Sequence, residues 1–399
     1  MSIKFRLILM SFVQYAVWGA WLISLGAYLG GSLHFEGFQV GSFFATMGIA
    51  SLFMPAVMGV IADRWIPAQK VLGICHIIAA LLLLLAAPQT GYALLYPLLL
   101  LSVMFYMPTI AISNAVAYNA LGKAGLDAVK AFPPVRVWGT VGFICAMVSV
   151  DLLNFTATAG QLYLSAGLGI ALGIYAFTLP CCPVSRSREK KSWMDSLGLQ
   201  AFSLFKQKDM AIFFIFSMLL GMSLQVTNAF GNDYLTNHFG GMPEYRGTFG
   251  VEHANILISL SQLSETLCIL LIPFFMRRFG IKKVMLISMI AWVLRFGLLG
   301  AGNPGSGVWM LILSMLVYGV AFDFFNISGS LFVEQKVDSA IRSSAQGVFM
   351  IMTNGFGALI GSYAAGAVVD ACSWPCAWYV FSAYALVVAI AFMLAFKHD

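Results

Sequence analysis

The chain has 399 residues, of which 60% are hydrophobic and only 10% charged. Soluble domains are about 25% charged and about half apolar, so this composition excludes a large soluble core and indicates an integral membrane protein. The formal net charge of +6 implies no nucleic-acid partner, because it is set by where the basic residues fall.

A helix needs about 20 mostly apolar residues to cross a bilayer. Runs of that kind are expected at roughly 5–30, 38–62, 70–88, 92–118, 131–153, 161–181, 209–230, 253–277, 282–301, 307–331, 342–370 and 374–396. The first run follows a basic start but is too long for a signal peptide and lacks a convincing cleavage site, so it is read as a retained helix. All Lys and Arg except Arg136, Arg246 and Arg295 fall in connecting or terminal segments that share one side of the membrane. By the positive-inside rule both termini are then cytoplasmic and the number of spans is even. The basic stretch Pro180 to Asp209 divides the chain into halves at 1–181 and 209–399, with 182–208 as a cytoplasmic linker. The seven cysteines show no metal or redox spacing, and Cys372 and Cys376 are expected as two reduced thiols. No cofactor or metal is expected.

Charges inside apolar runs carry most of the functional signal. A charge at mid-bilayer costs about 2.5–3.5 kcal/mol even on the lenient insertion scale, so it needs a partner, a cavity or a proton. Arg136, Glu265 and Asp323 are such residues. Arg136 forms an i, i+4, i+7 stripe with Thr140 and Phe143 just after Pro133 and Pro134. If those prolines start the helix, Arg136 is a headgroup anchor; if the helix already runs from about Asp127, Arg136 lies deeper and faces a cavity. Gln225, Asn228 and Asn232 share a face of the seventh run, where amides either join helices or hold a ligand rich in hydroxyls and carbonyls. Gln262 lies one turn from Glu265, whose carboxyl is a candidate proton acceptor because burial disfavours its charged form. Tyr318, Phe322, Asp323 and Asn326 make an aromatic and polar strip suited to a flat ring. Asn114, Tyr118, Gln346, Thr353 and Asn354 are second-line candidates. Arg295, near the outer end of its run, is read as snorkelling or structurally paired, and His76 as a satisfied core or gate histidine.

The segments GVIADRWIPAQKV and FFMRRFGIKKV repeat a basic loop after the second and eighth runs. The first resembles the loop signature of the major facilitator superfamily, although Trp65 and Pro67 interrupt it. That resemblance implies an all-α membrane fold of twelve transmembrane helices in two six-helix halves. More specifically, QYAVWGAWL, YMPT, FPPVRVWGTVGF, SQLSETL, YGVAFDFFNISGS and SAQGVFMIMTNGFG resemble the bacterial nucleoside/proton symporters across nearly the whole chain. The segment 232–252 matches that family poorly. Membership implies proton-driven uptake of purine and pyrimidine nucleosides across a bacterial inner membrane, with no enzymatic step. It implies a central site lined by Arg136, Thr140, Phe143, Gln225, Asn228, Gln262, Glu265, Phe322 and Asp323. The residue reading adds Asn326, and assigns proton coupling to Asp323 first and Glu265 second. An ion pair from Arg136 to either carboxylate would join the halves and loosen on protonation. The partners are then a small-molecule nucleoside, protons and the lipid bilayer, with the chain acting as a monomer. A transporter of another polar solute, such as a sugar or nucleobase, and a nucleoside sensor that moves nothing remain as alternatives.

Overall fold

The structure is a computed structural model, and it describes residues 2–182, 184, 199–338 and 341–396. Most of the expected linker, residues 183 and 185–198, lies outside the described residues. Among these residues there are helices, turns and loops and no strand. In hydrocarbon no water is available to backbone polar groups, so each apolar run satisfies them internally by coiling into a helix.

Nine of the described helices are long and apolar enough to cross a membrane. Two further apolar helices, Ile3–Gly19 and Gly160–Ala176, are 17 residues each. The 48-residue helix Ala254–Ala301 is broken at Gly280, whose φ of 75° is open to glycine but strained for other residues. Its two arms match the expected runs 253–277 and 282–301. Large apolar side chains such as Leu270 and Leu394 are 74% and 68% exposed, which is costly in water and neutral against lipid tails.

Contacts divide the chain into two compact units, Met1–Leu33 with Ile49–Ser192, and His34–Gly48 with Trp193–Asp399. In the first, Leu7, Leu72, Cys75, Val116, Val135 and Leu172 form a buried core. Helix Ile3–Gly19 packs closely on helix Ala128–Leu152 because Gly142 has no side chain; a Cβ there would lie 2.0 Å from the Phe12 carbonyl oxygen. In the second unit Cys268, Ile272, Val284 and Phe324 form a smaller cluster. Helix Lys208–Asp233 approaches the wide-turned segment Ile351–Gly357 through Gly221, where a Cβ would meet the Thr353 carbonyl at 2.1 Å.

Candidate binding site

Helix Ala128–Leu152 begins before Pro133 and Pro134 and runs through them. Arg136 is therefore eight residues into the helix, about 12 Å along its axis, and the headgroup-anchor reading that depended on a proline start falls away. The Arg136 side chain is half-buried, with its guanidinium 3.9 Å over the Tyr15 ring. Such a cation over an aromatic face gains about 1–2 kcal/mol when desolvated. Thr140 is half-buried one turn further on. Phe143 is buried and meets Trp18 edge-on, with centroids 6.4 Å apart at 86°. The first unit thus brings Arg136 and Phe143 against Tyr15 and Trp18 of one neighbouring helix, two aromatic partners that sequence reasoning passed over.

The second unit holds the remaining candidates. Gln225 is buried and its Oε1 has no hydrogen-bond partner among the described residues, whereas Asn228 is half-buried. Asn232 serves another purpose: its Nδ2 donates to Asn255 Oδ1 at 2.7 Å and its Oδ1 accepts from Thr236 Oγ1 at 3.0 Å. One end of that amide joins two helices and the other is held within its own helix, so it leaves the ligand-facing set. Gln262 and Glu265 are half-buried on helix Ala254–Ala301.

Helix Val308–Lys336 carries the densest part. Tyr318 and Phe322 stack with centroids 5.8 Å apart and planes within 9°. Asp323 is 3% exposed, and its Oδ2 lacks a hydrogen-bond partner among the described residues. Glu265 interacts electrostatically with both Tyr318 and Asp323, so two carboxyl groups share one poorly hydrated region. Phe322 and Asn326 line a cleft together with Trp292, Thr353 and Asn354. Gln225, Asn228, Gln262, Glu265 and Asp323 are not on that cleft's wall. Trp292, absent from the sequence-derived set, stands at 90° to Tyr318 with centroids 6.1 Å apart. Arg295, one turn beyond it, is buried, donates Nη1 to the Ser314 carbonyl at 2.7 Å and lies over the Tyr318 ring. It is structurally paired and does not snorkel.

Chemically, this wall joins aromatic faces to amide and hydroxyl groups, which fits a flat ring with polar edges. The neighbouring carboxyls are able to carry a proton. No group of His, Cys, Asp and Glu that could hold a metal ion exists among the described residues.

Comparison with known proteins agrees with this chemistry. The family model described as "Nucleoside H+ symporter" matches residues 1–399. Xanthosine permease of Escherichia coli K12 is 50% identical over 406 residues, spanning 100% of this chain and 97% of that protein. Nucleoside permease NupG of the same organism is 48% identical over 405 residues, with coverage of 100% and 97%. A crystal structure of a mutant of nucleoside transporter NupG superposes with a TM-score of 0.96, covering 99% of this chain and 100% of the other.

Proposed function

The chain belongs to the nucleoside H+ symporter family, and from that premise we propose that it takes up purine and pyrimidine nucleosides with protons across a bacterial inner membrane. It is a transporter, as its relatives are permeases, and not an enzyme. The observation that carries the reading is the cleft walled by Phe322 and Asn326, next in sequence to a carboxyl, Asp323, buried with one oxygen unpartnered. An aromatic face takes the base, amides take its edge and the ribose hydroxyls, and the carboxyl takes the proton.

In this reading Phe322 stacks on the base and Asn326 meets its polar edge in that cleft, while Gln225, Asn228 and Gln262, which are off its wall, are assigned to substrate as further donors and acceptors. Asp323 is the coupling acid, and Glu265 is a ligand contact and second proton site. Arg136, Thr140 and Phe143 of the first unit are assigned to substrate as well. Inward proton flow supplies about 2.3 kcal/mol per charge for each 100 mV, plus any pH gradient. Protonation removes a buried negative charge, and that change in charge is what links proton uptake to rearrangement.

The same reading counts twelve membrane crossings. To the nine long apolar helices it adds Ile3–Gly19 with its continuation to Ser32, Gly160–Ala176, and a second crossing from the two arms of Ala254–Ala301. The basic residues place both termini in the cytoplasm, the halves are 1–181 and 209–399 about the linker 182–208, and the chain works as a monomer. The test is uptake of labelled adenosine and uridine into cells stripped of their own nucleoside transporters, with and without a protonophore. Accumulation that collapses with the protonophore supports symport. Equilibration indifferent to it, or inhibition by free ribose or uracil, would sink the proposal.

A further inference from the structure

A chain of buried polar groups in the first unit is left unused by the reading above, and its hydrogen bonds can be followed proton by proton. Thr109 donates its hydroxyl to the Tyr106 carbonyl at 2.5 Å, which leaves Oγ1 to accept from Gln14 Nε2 at 2.8 Å. That contact fixes which way the Gln14 amide points, and its Oε1 then lies 2.7 Å from His76 Nε2. An amide oxygen only accepts, so His76 Nε2 carries the ring proton and Nδ1 of the neutral ring is an acceptor. His76 is 1% exposed, and Nδ1 has no hydrogen-bond partner among the described residues.

His76 also lines a second, narrow cavity, with about the free space of a single water, together with Tyr106, Trp21, Ser102 and Ser165. The hydroxyl protons on this wall are already spent. Ser102 donates to the Ala79 carbonyl at 2.9 Å, Ser165 to the Val17 carbonyl at 2.8 Å and Tyr106 to the Gln14 carbonyl at 2.8 Å. What the imidazole and the hydroxyls offer to the space is lone pairs. A ligand there must donate hydrogen bonds, and water, with two donors and a small volume, meets that need.

Gln14 is clamped from two sides by this chain, and the next residue is Tyr15, whose ring supports the Arg136 guanidinium at 3.9 Å. We propose that His76 is a positioning residue for Arg136. Held as the Nε2–H tautomer, with Nδ1 hydrogen-bonded to a water in the adjoining cavity, it fixes Gln14 and through it the Tyr15 ring on which Arg136 rests. The positioning role rests on the assignment of Arg136 to substrate; the tautomer and the water do not.

Two measurements on the full chain test this. In protein labelled with 15N-histidine, the His76 signals, identified by their loss in His76→Gln, are expected to show a protonated Nε2 and an unprotonated Nδ1 near neutral pH, with water exchange at the ring. A protonated Nδ1, or no contact with water, overturns the tautomer and the water site. In uridine uptake, His76→Leu and Gln14→Leu are each expected to raise KM by about tenfold, the scale of one lost buried hydrogen bond, with the maximal rate per inserted molecule retained. The double variant should be no worse than either single one, because both remove the same link. His76→Gln, whose amide still donates to Gln14, should recover most of the KM. An unchanged KM in His76→Leu, or losses that multiply in the double variant, overturns the positioning role. Arg136→Gln, run alongside, separates the premises: if its KM is that of the wild type, Arg136 is not a substrate residue and the positioning role falls with it, while the 15N result stands by itself.

Discussion

The guanidinium of Arg295 lies 4.6 Å over the ring of Tyr318, and Tyr318 in turn stacks on Phe322, which lines the candidate nucleoside cavity. Arg295 thus bears on the shape of that cavity without being on its wall. Arg295→Ala is expected to destabilise the protein by roughly 2–4 kcal/mol, through lost packing and a lost cation–π contact. It should also raise the KM for uridine, since Phe322 loses a fixed neighbour. Arg295→Lys keeps the charge but not the planar fork, and should fall between the two. Thermal unfolding in detergent and uptake kinetics check both effects; a stable Arg295→Ala protein with unaltered KM would remove Arg295 from the account.

Asp323 and Glu265 are expected to separate coupling from binding. Asp323→Asn preserves shape and removes the titrating oxygen, so concentrative uptake should collapse to equilibration while exchange of labelled for unlabelled uridine persists. One coupled charge at 100 mV supports a concentration ratio of about fiftyfold, which sets the size of the loss. Glu265→Gln should weaken binding more than coupling. Measuring accumulation under an imposed pH gradient decides the matter, and retention of accumulation in both variants would refute the scheme.

These residues also mark how far the sequence could be read. Asp323, Glu265 and Arg136 stood out because a charge in an apolar run has a cost that needs an explanation, and the runs themselves emerged from length alone. Arg295 was equally visible, but what it touches was not, because its contacts with Tyr318 and Ser314 are made by helix packing and not by spacing along one helix. Trp292, Tyr15 and Gln14 were overlooked for a related reason. In a chain whose helices are apolar on every side, periodicity cannot separate a face toward lipid from a face toward a cavity. Asn232 errs in the opposite direction: its spacing from Gln225 and Asn228 was right for a shared face, yet a partner on another helix, Asn255, takes its amide.

Cysteines supply a direct test of the proposed orientation. Cys181 and Cys376 are exposed and free, and with both termini in the cytoplasm they lie on opposite sides of the membrane. In single-cysteine variants, a membrane-impermeant maleimide added to intact cells should label Cys376 and spare Cys181, with the reverse in inverted vesicles. Cys182 adds an internal control. Burial pushes its thiol up from the ordinary value, against a smaller opposing effect of Lys123, and the thiolate is the reactive form. At pH 7–8 it should therefore react well behind Cys181, whichever side is treated. Labelling of Cys181 from outside intact cells would reverse the topology.

Asp370 closes the N-terminus of a helix to which it does not belong. Its Oδ1 accepts from the Gly37 amide at 2.5 Å and its Oδ2 from the Phe38 amide at 2.7 Å, two of the amides that begin helix Gly37–Arg64 and have no acceptor within it. The backbones meet closely at the same place, since a Cβ on Gly366 would lie 2.3 Å from the Gly37 carbonyl oxygen, so position 366 has no room for a side chain. Charge-assisted capping of this kind contributes about 1–2 kcal/mol. Asp370→Ala should accordingly speed amide exchange across residues 37–48 by about tenfold. Asp370→Asn, which keeps one acceptor oxygen and loses the charge, should give an intermediate rate. Hydrogen exchange read by mass spectrometry on the three proteins distinguishes the outcomes. Equal exchange in all three would mean that glycine packing alone holds residues 37–48 in place and that the carboxylate contributes nothing measurable.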